Sequence, residues 1–277
     1  MRPADVVRRA AGYLERHDVA SPVPTAERLL ASVLGVSRVE LYGRQEGLSS
    51  TEARTFGRAL CRRCTGTPLQ HLTGEEGFRH LVLTVRPGVF VPRPETEVLV
   101  EHALAVVAGL VEPVVVDVGT GTGAVALAIA DEHPGVRVVA TDLSPEAVRL
   151  ARENADRSQL DVTVVEGDLL EALDPRLRGR VDLVVSNPPY VDATELPSLP
   201  PEVRADPELS LRGGVHVYRR LFAAALPWLR PGGAVVVEIG ETQAAAVSAA
   251  AADAGLDAVR VHPDLVGRDR VVVARRT

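Results

Sequence analysis

The chain has 277 residues, 46% hydrophobic and 25% charged, with a formal net charge of -6. Such a composition suits a globular fold of one large domain, or a large and a small one. The acidic balance argues against a broad electrostatic grip on nucleic acid, and 3% aromatic residues argue against stacking platforms for single strands. All 31 basic residues are arginine. Cys61 and Cys64 fall on a predicted helix with no second Cys/His pair at ligand spacing. That pattern predicts packing rather than zinc or redox work, and a reducing compartment. Met1 to His17 is charged and amphipathic and lacks a signal-peptide core. No run approaches the roughly 20 apolar residues of a membrane span. The expectations are a cytoplasmic location, no membrane partner, no direct nucleic-acid partner and no metal.

Residues 1 to 74 read as a small helical domain. Ala4–His17 carries Val6, Val7, Ala10, Tyr13 and Leu14 at helical spacing, and Thr25–Leu34 repeats the pattern before Gly35. Ser49-x-x-Glu52 is a capping-box signature that opens a helix to about Cys64. Pro68 to Gly74 is rich in breakers and reads as a connector. Residues 75 to 95 read as a hairpin linker, with Phe78 and Leu81–Val85 flanking a turn. The linker ends in Pro92-Arg93-Pro94-Glu95-Thr96-Glu97, where acids open the next helix as the macrodipole favours.

From residue 96 to 277 helices and strands alternate. Strands are predicted over Val114–Val118, Val136–Thr141, Val162–Val165, Val181–Ser186, Ala234–Ile239, Ala258–Val261 and Arg270–Ala274. Helices are predicted over Val98–Gly109, Ala124–Asp131, Pro145–Asp156, Tyr218–Leu229 and Thr242–Ala254. This is an α/β pattern, a doubly wound and mostly parallel seven-stranded sheet. Two final strands with no helix between them predict an antiparallel edge.

Two strand ends carry chemistry. Asp117-Val118-Gly119-Thr120-Gly121-Thr122-Gly123 joins a strand to a helix, and glycines there let the backbone turn tightly against a ligand. The next strand ends in Asp142, placed to accept ribose hydroxyls. After the third strand comes Glu166-Gly167-Asp168-Leu169, where a carboxylate can accept from an adenine amino group and Leu169 can cover the ring face. An acid at Asp117 suits a cationic amino-acid moiety better than a pyrophosphate, which favours S-adenosylmethionine over a dinucleotide. The second strand end is Val185-Ser186-Asn187-Pro188-Pro189-Tyr190. Its prolines stiffen the loop and offer no N–H. The Asn187 side-chain oxygen and the Asn187 and Pro188 carbonyls accept hydrogen bonds, which suits a planar –NH2 group, and Tyr190 adds a ring face.

The set Pro92-Arg93-Pro94-Glu95-Thr96-Glu97, Asp117-x-Gly-Thr-Gly-Thr-Gly123, Asn187-Pro-Pro-Tyr190 and Gly267-Arg268-Asp269-Arg270 resembles the PrmC/HemK family over essentially the whole chain. Those are peptide chain release factor glutamine N5-methyltransferases. The resemblance implies a Rossmann-like class I methyltransferase domain behind a helical substrate-binding domain. It implies methyl transfer from S-adenosylmethionine to the glutamine amide of the Gly-Gly-Gln motif in class 1 release factors. It also implies that Gly119, Thr120, Gly121, Thr122, Gly123, Asp142, Asp168, Leu169, Asn187 and Phe90 meet the cofactor. Asn187, Pro188 and Tyr190 would act in transfer, and Asn187 to Tyr190 would hold the glutamine. Gly213-Gly214-Val215-His216-Val217 departs from the family pattern. The alternatives are a DNA or RNA adenine N6-methyltransferase, a non-catalytic S-adenosylmethionine-binding protein and a nicotinamide oxidoreductase.

Overall fold

A computed structural model describes residues 2–277, which divide into two compact units, 2–75 with 199–205 and 76–198 with 206–277. The first unit holds α1 (Pro3–Glu15), α2 (Pro22–Leu34), α3 (Arg38–Gly43), α4 (Ser50–Cys64) and α5 (Leu69–Thr73). Leu14, Leu29, Leu30, Leu41 and Phe56 form its core. The capping box at Ser49 and Glu52 is present as predicted. A second one, Ser37 with Glu40, opens α3, a helix not expected from the sequence because six residues are too short to show periodicity. The connector at Pro68–Gly74 contains α5, which stops where Gly74 adopts φ 80°. Arg63 ties the segment 199–205 to this unit through Glu202 at 2.6 Å.

The second unit opens with the hairpin β1 (Glu75–Phe78) and β2 (Leu81–Thr84). This hairpin, read from sequence as a linker, packs on the sheet unit. Asn154 is its anchor, accepting from Thr84 N at 2.8 Å and donating to Thr84 O at 3.1 Å. There follow α6 (Thr96–Val107), β3 (Val114–Val118), α7 (Ala124–Glu132), β4 (Arg137–Asp142), α8 (Pro145–Ser158), β5 (Val162–Glu166) and β6 (Val181–Ser186). The chain ends with α9 (Glu208–Leu211), α10 (Val215–Ala225), β7 (Leu229–Glu238), α11 (Ala244–Asp253), β8 (Asp257–Pro263) and β9 (Asp269–Arg275). The helix predicted to reach Leu229 stops at Ala225, and β7 begins five residues before the predicted Ala234, running through Pro231-Gly232-Gly233.

The strand order is β5-β4-β3-β6-β7-β9-β8. The first five strands are parallel, and β9 is antiparallel to both β7 and β8, as the two helix-free final strands imply. Alternating side chains serve opposite faces. Val115, Leu183 and Val236 pack with Leu99, Ala103, Ile129 and Ala151 on one side. Val116, Val184 and Val235 pack with Tyr218, Phe222 and Val247 on the other. Leu99 and Ile129 are fully buried, each contributing about 1.5–3 kcal/mol of apolar transfer. Strand order reverses between β3 and β6, and the carboxyl ends of strands at such a point are where open α/β sheets bind ligands.

Candidate active site

The loop after β3 is built by three glycines with different tasks. Gly119, Gly121 and Gly123 have φ of 73°, 57° and 86°. A Cβ on Gly119 or Gly121 would meet nothing within 4 Å, so the bare backbone there faces open space. A Cβ on Gly123 would lie 3.1 Å from Leu127 and 3.3 Å from Ala151, so this glycine serves the packing of α7 against α8. Gly119 N and Thr120 N donate to Thr141 O at 2.8 and 3.0 Å, fixing the loop to the end of β4. The Thr120 and Thr122 side chains are turned in, at 7% and 2% exposure.

Asp117 is engaged within its own loop. It is 1% exposed, and its Oδ2 accepts from Thr120 Oγ1 at 2.6 Å and Ala126 N at 3.2 Å. Through Oδ2 it clamps its own loop from beneath. Burial pushes its carboxyl up to about 7 against those two hydrogen bonds.

Asp142 closes β4 as expected. Its Oδ2 accepts from Gly121 N at 2.8 Å and its Oδ1 from Ser144 N at 2.9 Å. Burial raises its pKa while these backbone donors oppose the rise. Each oxygen keeps a lone pair for a hydroxyl donor. Asp168 receives Arg220 Nη2 on one oxygen at 2.7 Å. Leu169 holds a left-handed φ of 51°, and its carbonyl accepts from Thr141 Oγ1 at 2.8 Å. That strained turn joins the ends of β4 and β5. A backbone cradle flanked by two carboxylates has the donor set of a nucleoside site.

The second half of the site follows β6. Ser186 Oγ donates to Val118 O at 2.7 Å and locks the two strand ends together. Asn187 Nδ2 donates to Thr96 Oγ1 at 3.1 Å, which leaves Oδ1 as the acceptor. Tyr190 is held at both ends. Gln243 Nε2 donates to its carbonyl at 2.8 Å, and its hydroxyl reaches Glu238 Oε1 at 3.4 Å. A Cβ on Gly213 would fall 1.6 Å from the Pro189 carbonyl oxygen, so the backbone of the following loop lies directly on the motif. Gly213 N also donates to Val191 O at 2.9 Å. Thr96, Gly213, Glu238 and Gln243 all support the motif and were not expected from sequence. Thr96 and Gly213 lie within quoted stretches, whereas Glu238 and Gln243 become neighbours of the motif only in the folded chain.

Phe90 stands beside the motif Pro92-Arg93-Pro94, with the Arg93 guanidinium 5.3 Å from its ring centroid. Arg93 pairs with Asp206, which is 4% exposed and also accepts from Val91 N at 3.3 Å. Phe90 therefore stacks on its own motif. Glu97 accepts from Arg79 N at 3.0 Å, the structural work expected of it. In the last motif, Arg270 is 7% exposed and donates to Ile239 O at 3.1 Å, and Arg268 pairs with Asp264 at 2.9 Å. Among the described residues no group of three or more His, Cys, Asp or Glu is placed to hold a metal, and no helix is long and apolar enough to cross a membrane.

The reversed strand order, the open glycine cradle and the amide-accepting loop on the neighbouring strand define a Rossmann-like class I methyltransferase. Residues 81–198 match the family model of the methyltransferase small domain, and residues 5–74 match that of the PrmC N-terminal domain. The chain is 44% identical over 281 residues to the release factor glutamine methyltransferase of Deinococcus radiodurans, covering 100% of this chain and 99% of that one. It is 44% identical to the enzyme of the same name from Streptomyces coelicolor, covering 98% and 96%. A methyltransferase structure from Pyrococcus furiosus, at 18% identity and a TM-score of 0.50, shares the fold over 82% of this chain and 99% of that one. The chain belongs to the release factor glutamine methyltransferase family.

Proposed function

We propose that this enzyme transfers a methyl group from S-adenosylmethionine to the side-chain amide nitrogen of the glutamine in the Gly-Gly-Gln motif of class 1 peptide chain release factors. The observation that carries the reading is the Asn187 amide, pinned through Nδ2 to Thr96 with Oδ1 free, one strand away from the open glycine cradle. A second amide, presented edge-on, finds acceptors there and no competing N–H from the prolines.

The residues fit the cofactor. Gly119 and Gly121 have open backbone faces for a ligand to approach, Asp142 has lone pairs that would take ribose hydroxyls, and Asp168 with Leu169 would hold the adenine. When bound, S-adenosylmethionine supplies an electrophilic methyl group on a sulfonium. The chain's own task is the acceptor. An amide nitrogen is a weak nucleophile because its lone pair is delocalised, and no histidine adjoins the motif to deprotonate it. Asn187 Oδ1 and the Pro188 carbonyl accept the two N–H bonds and set the direction of the nitrogen. The Tyr190 ring limits rotation of the amide plane. Orientation of this kind supplies up to about 7–11 kcal/mol in favourable cases. The helical unit 2–75 is proposed to bind the protein substrate.

The test is transfer of labelled methyl to a purified release factor, to the same factor with its Gly-Gly-Gln glutamine replaced, and to duplex DNA. Label on the intact factor alone is the expected result. Label on DNA would establish the adenine reading instead. A net charge of -6 gives little support to a strand-gripping surface.

A further inference from the structure

The turn Asp264–Arg268 joins β8 to β9. β9 runs antiparallel to β7, with Val271 opposite Glu238 and Arg275 opposite Ala234. The start of β9 therefore lies at the carboxyl end of β7. The turn projects from the same edge of the sheet as the glycine cradle and the amide loop. The order β6-β7-β9 places it two strands along from the amide loop, about 10 Å away. Arg268 connects the turn to that site through ion pairs of 3.9 Å with Glu95 and 3.9 Å with Glu241. Glu95 precedes Thr96, which receives Asn187 Nδ2, and Glu241 stands just before Gln243, which holds the Tyr190 carbonyl.

The turn has a fixed frame. Asp264 is 8% exposed, and its Oδ1 accepts from Val266 N and Arg268 N, both at 3.0 Å, while Oδ2 accepts from Arg268 Nε at 2.9 Å. Asp264 N donates to Arg268 O at 2.7 Å, and Gly267 takes a φ of 84°. This polar frame presents an apolar tip, with Leu265 95% and Val266 74% exposed. A single exposed apolar side chain is ordinary. Two in succession, on a backbone already ordered by a buried acid, can be covered by a partner with little further ordering of the chain. The exposed charges linked to the turn are two acids, Glu95 and Glu241, against the one Arg268, so its rim is negative.

We propose that the Leu265–Val266 tip is a docking point for the protein that carries the substrate glutamine, received by an apolar patch with basic groups at its edge on that protein. The proposal rests on the reading above that the acceptor is a protein glutamine. The amide loop meets only the end of one side chain, which many proteins could offer. A second contact two strands away selects the protein behind that side chain. A standard interface covers about 800 Å² on each partner, so a protein with its glutamine at Asn187 spans the distance to the tip.

The experiment compares methyl transfer to purified release factor by the wild type, L265S/V266S and V111S. Val111 is 85% exposed but precedes β3, at the opposite edge of the sheet. L265S/V266S should raise KM for the factor by about tenfold or more, with kcat at saturating factor, S-adenosylmethionine affinity and melting temperature unchanged. V111S should keep the wild-type KM. A benzophenone amino acid in place of Leu265 should photo-crosslink to the factor, and one in place of Val111 should not. A wild-type KM in L265S/V266S overturns the proposal. So does the absence of a crosslink from position 265, which decides the matter even if the double variant fails to fold. If the wild type labels the factor and the tip proves indifferent, the functional reading stands and the docking role alone is lost. If the wild type transfers no methyl to the factor, the functional reading fails and the docking role falls with it.

Discussion

Asn187 and Thr96 lie 91 positions apart and meet in one hydrogen bond of 3.1 Å, from the motif's amide nitrogen to the first helical residue of α6. The bond fixes which end of the Asn187 amide stays free to accept, Oδ1, on which the proposed substrate contact depends. Thr96→Ser keeps the hydroxyl and should keep transfer near the wild-type rate. Thr96→Val removes the acceptor at constant shape and should lower kcat about tenfold, the worth of one hydrogen bond of roughly 1.4 kcal/mol. Single-turnover methyl transfer distinguishes the two.

Asn187→Ala deletes the acceptor itself. Transfer should fall about 100-fold or more, the usual cost of losing one aligned polar group at a reacting centre. Binding of S-adenosylmethionine, followed by calorimetry, should persist. Tyr190→Ala should raise KM for the release factor more than it weakens cofactor binding. Equal losses in both would make the ring a purely structural element.

Gly213 has no room for a side chain, because its Cβ would sit 1.6 Å from the Pro189 carbonyl oxygen. Gly213→Ala must therefore move the motif or the loop, at a cost of about 3 kcal/mol or more. Gly119→Ala is a contrasting case, since its Cβ meets nothing and only the φ of 73° resists. Its stability cost should stay near 1 kcal/mol, while cofactor affinity falls more steeply. Thermal melts with and without S-adenosylmethionine separate the two effects.

Asp117 gives a pH signature. Its carboxyl is raised from 3.8 to about 7 in the folded protein, so the native state holds a proton that the unfolded chain has released across that window. The stabilisation is complete below about 4 and disappears as pH rises toward about 7. Asp117→Asn should abolish that contribution. The stability difference between wild type and variant should therefore shift in favour of the wild type on acidification, by at most about 1.4 kcal/mol per pH unit. A pH-independent difference in urea midpoints would show that Asp117 is ionised in the native state.

The parallel sheet was legible because its strands are short, β-branched and bounded by breakers, and the run Val181–Ser186 coincides with β6 at both ends. The strand-end motifs announced where ligands belong, since an Asn-Pro-Pro loop and a glycine turn each end a buried strand. The sequence does not show direction. Asp117 looked like a ligand residue by its place before the glycines, but strand alternation points it under the loop, where Thr120 and Ala126 claim it. Nor does it show partners that meet only across the sheet. Glu238 follows Ala234–Val237, four residues that read as ordinary core, and its neighbours come from α6, the loop after β6, α10 and β9. The helix α3 has the same capping signature as α4, Ser37-x-x-Glu40, but six residues carry no helical periodicity beyond it.

β3 and β6 are adjacent hydrogen-bonded strands, and Ser186 rivets their ends at Val118. The glycine cradle grows from one strand and the amide loop from the other. The spacing between the two strand ends that carry these loops is thereby set by the pitch of a β-sheet, about 4.8 Å per strand. That pitch is a constant of the polypeptide backbone and does not drift with surface substitution. Side chains in this enzyme aim the reacting groups, but the interval between them is written into the sheet itself.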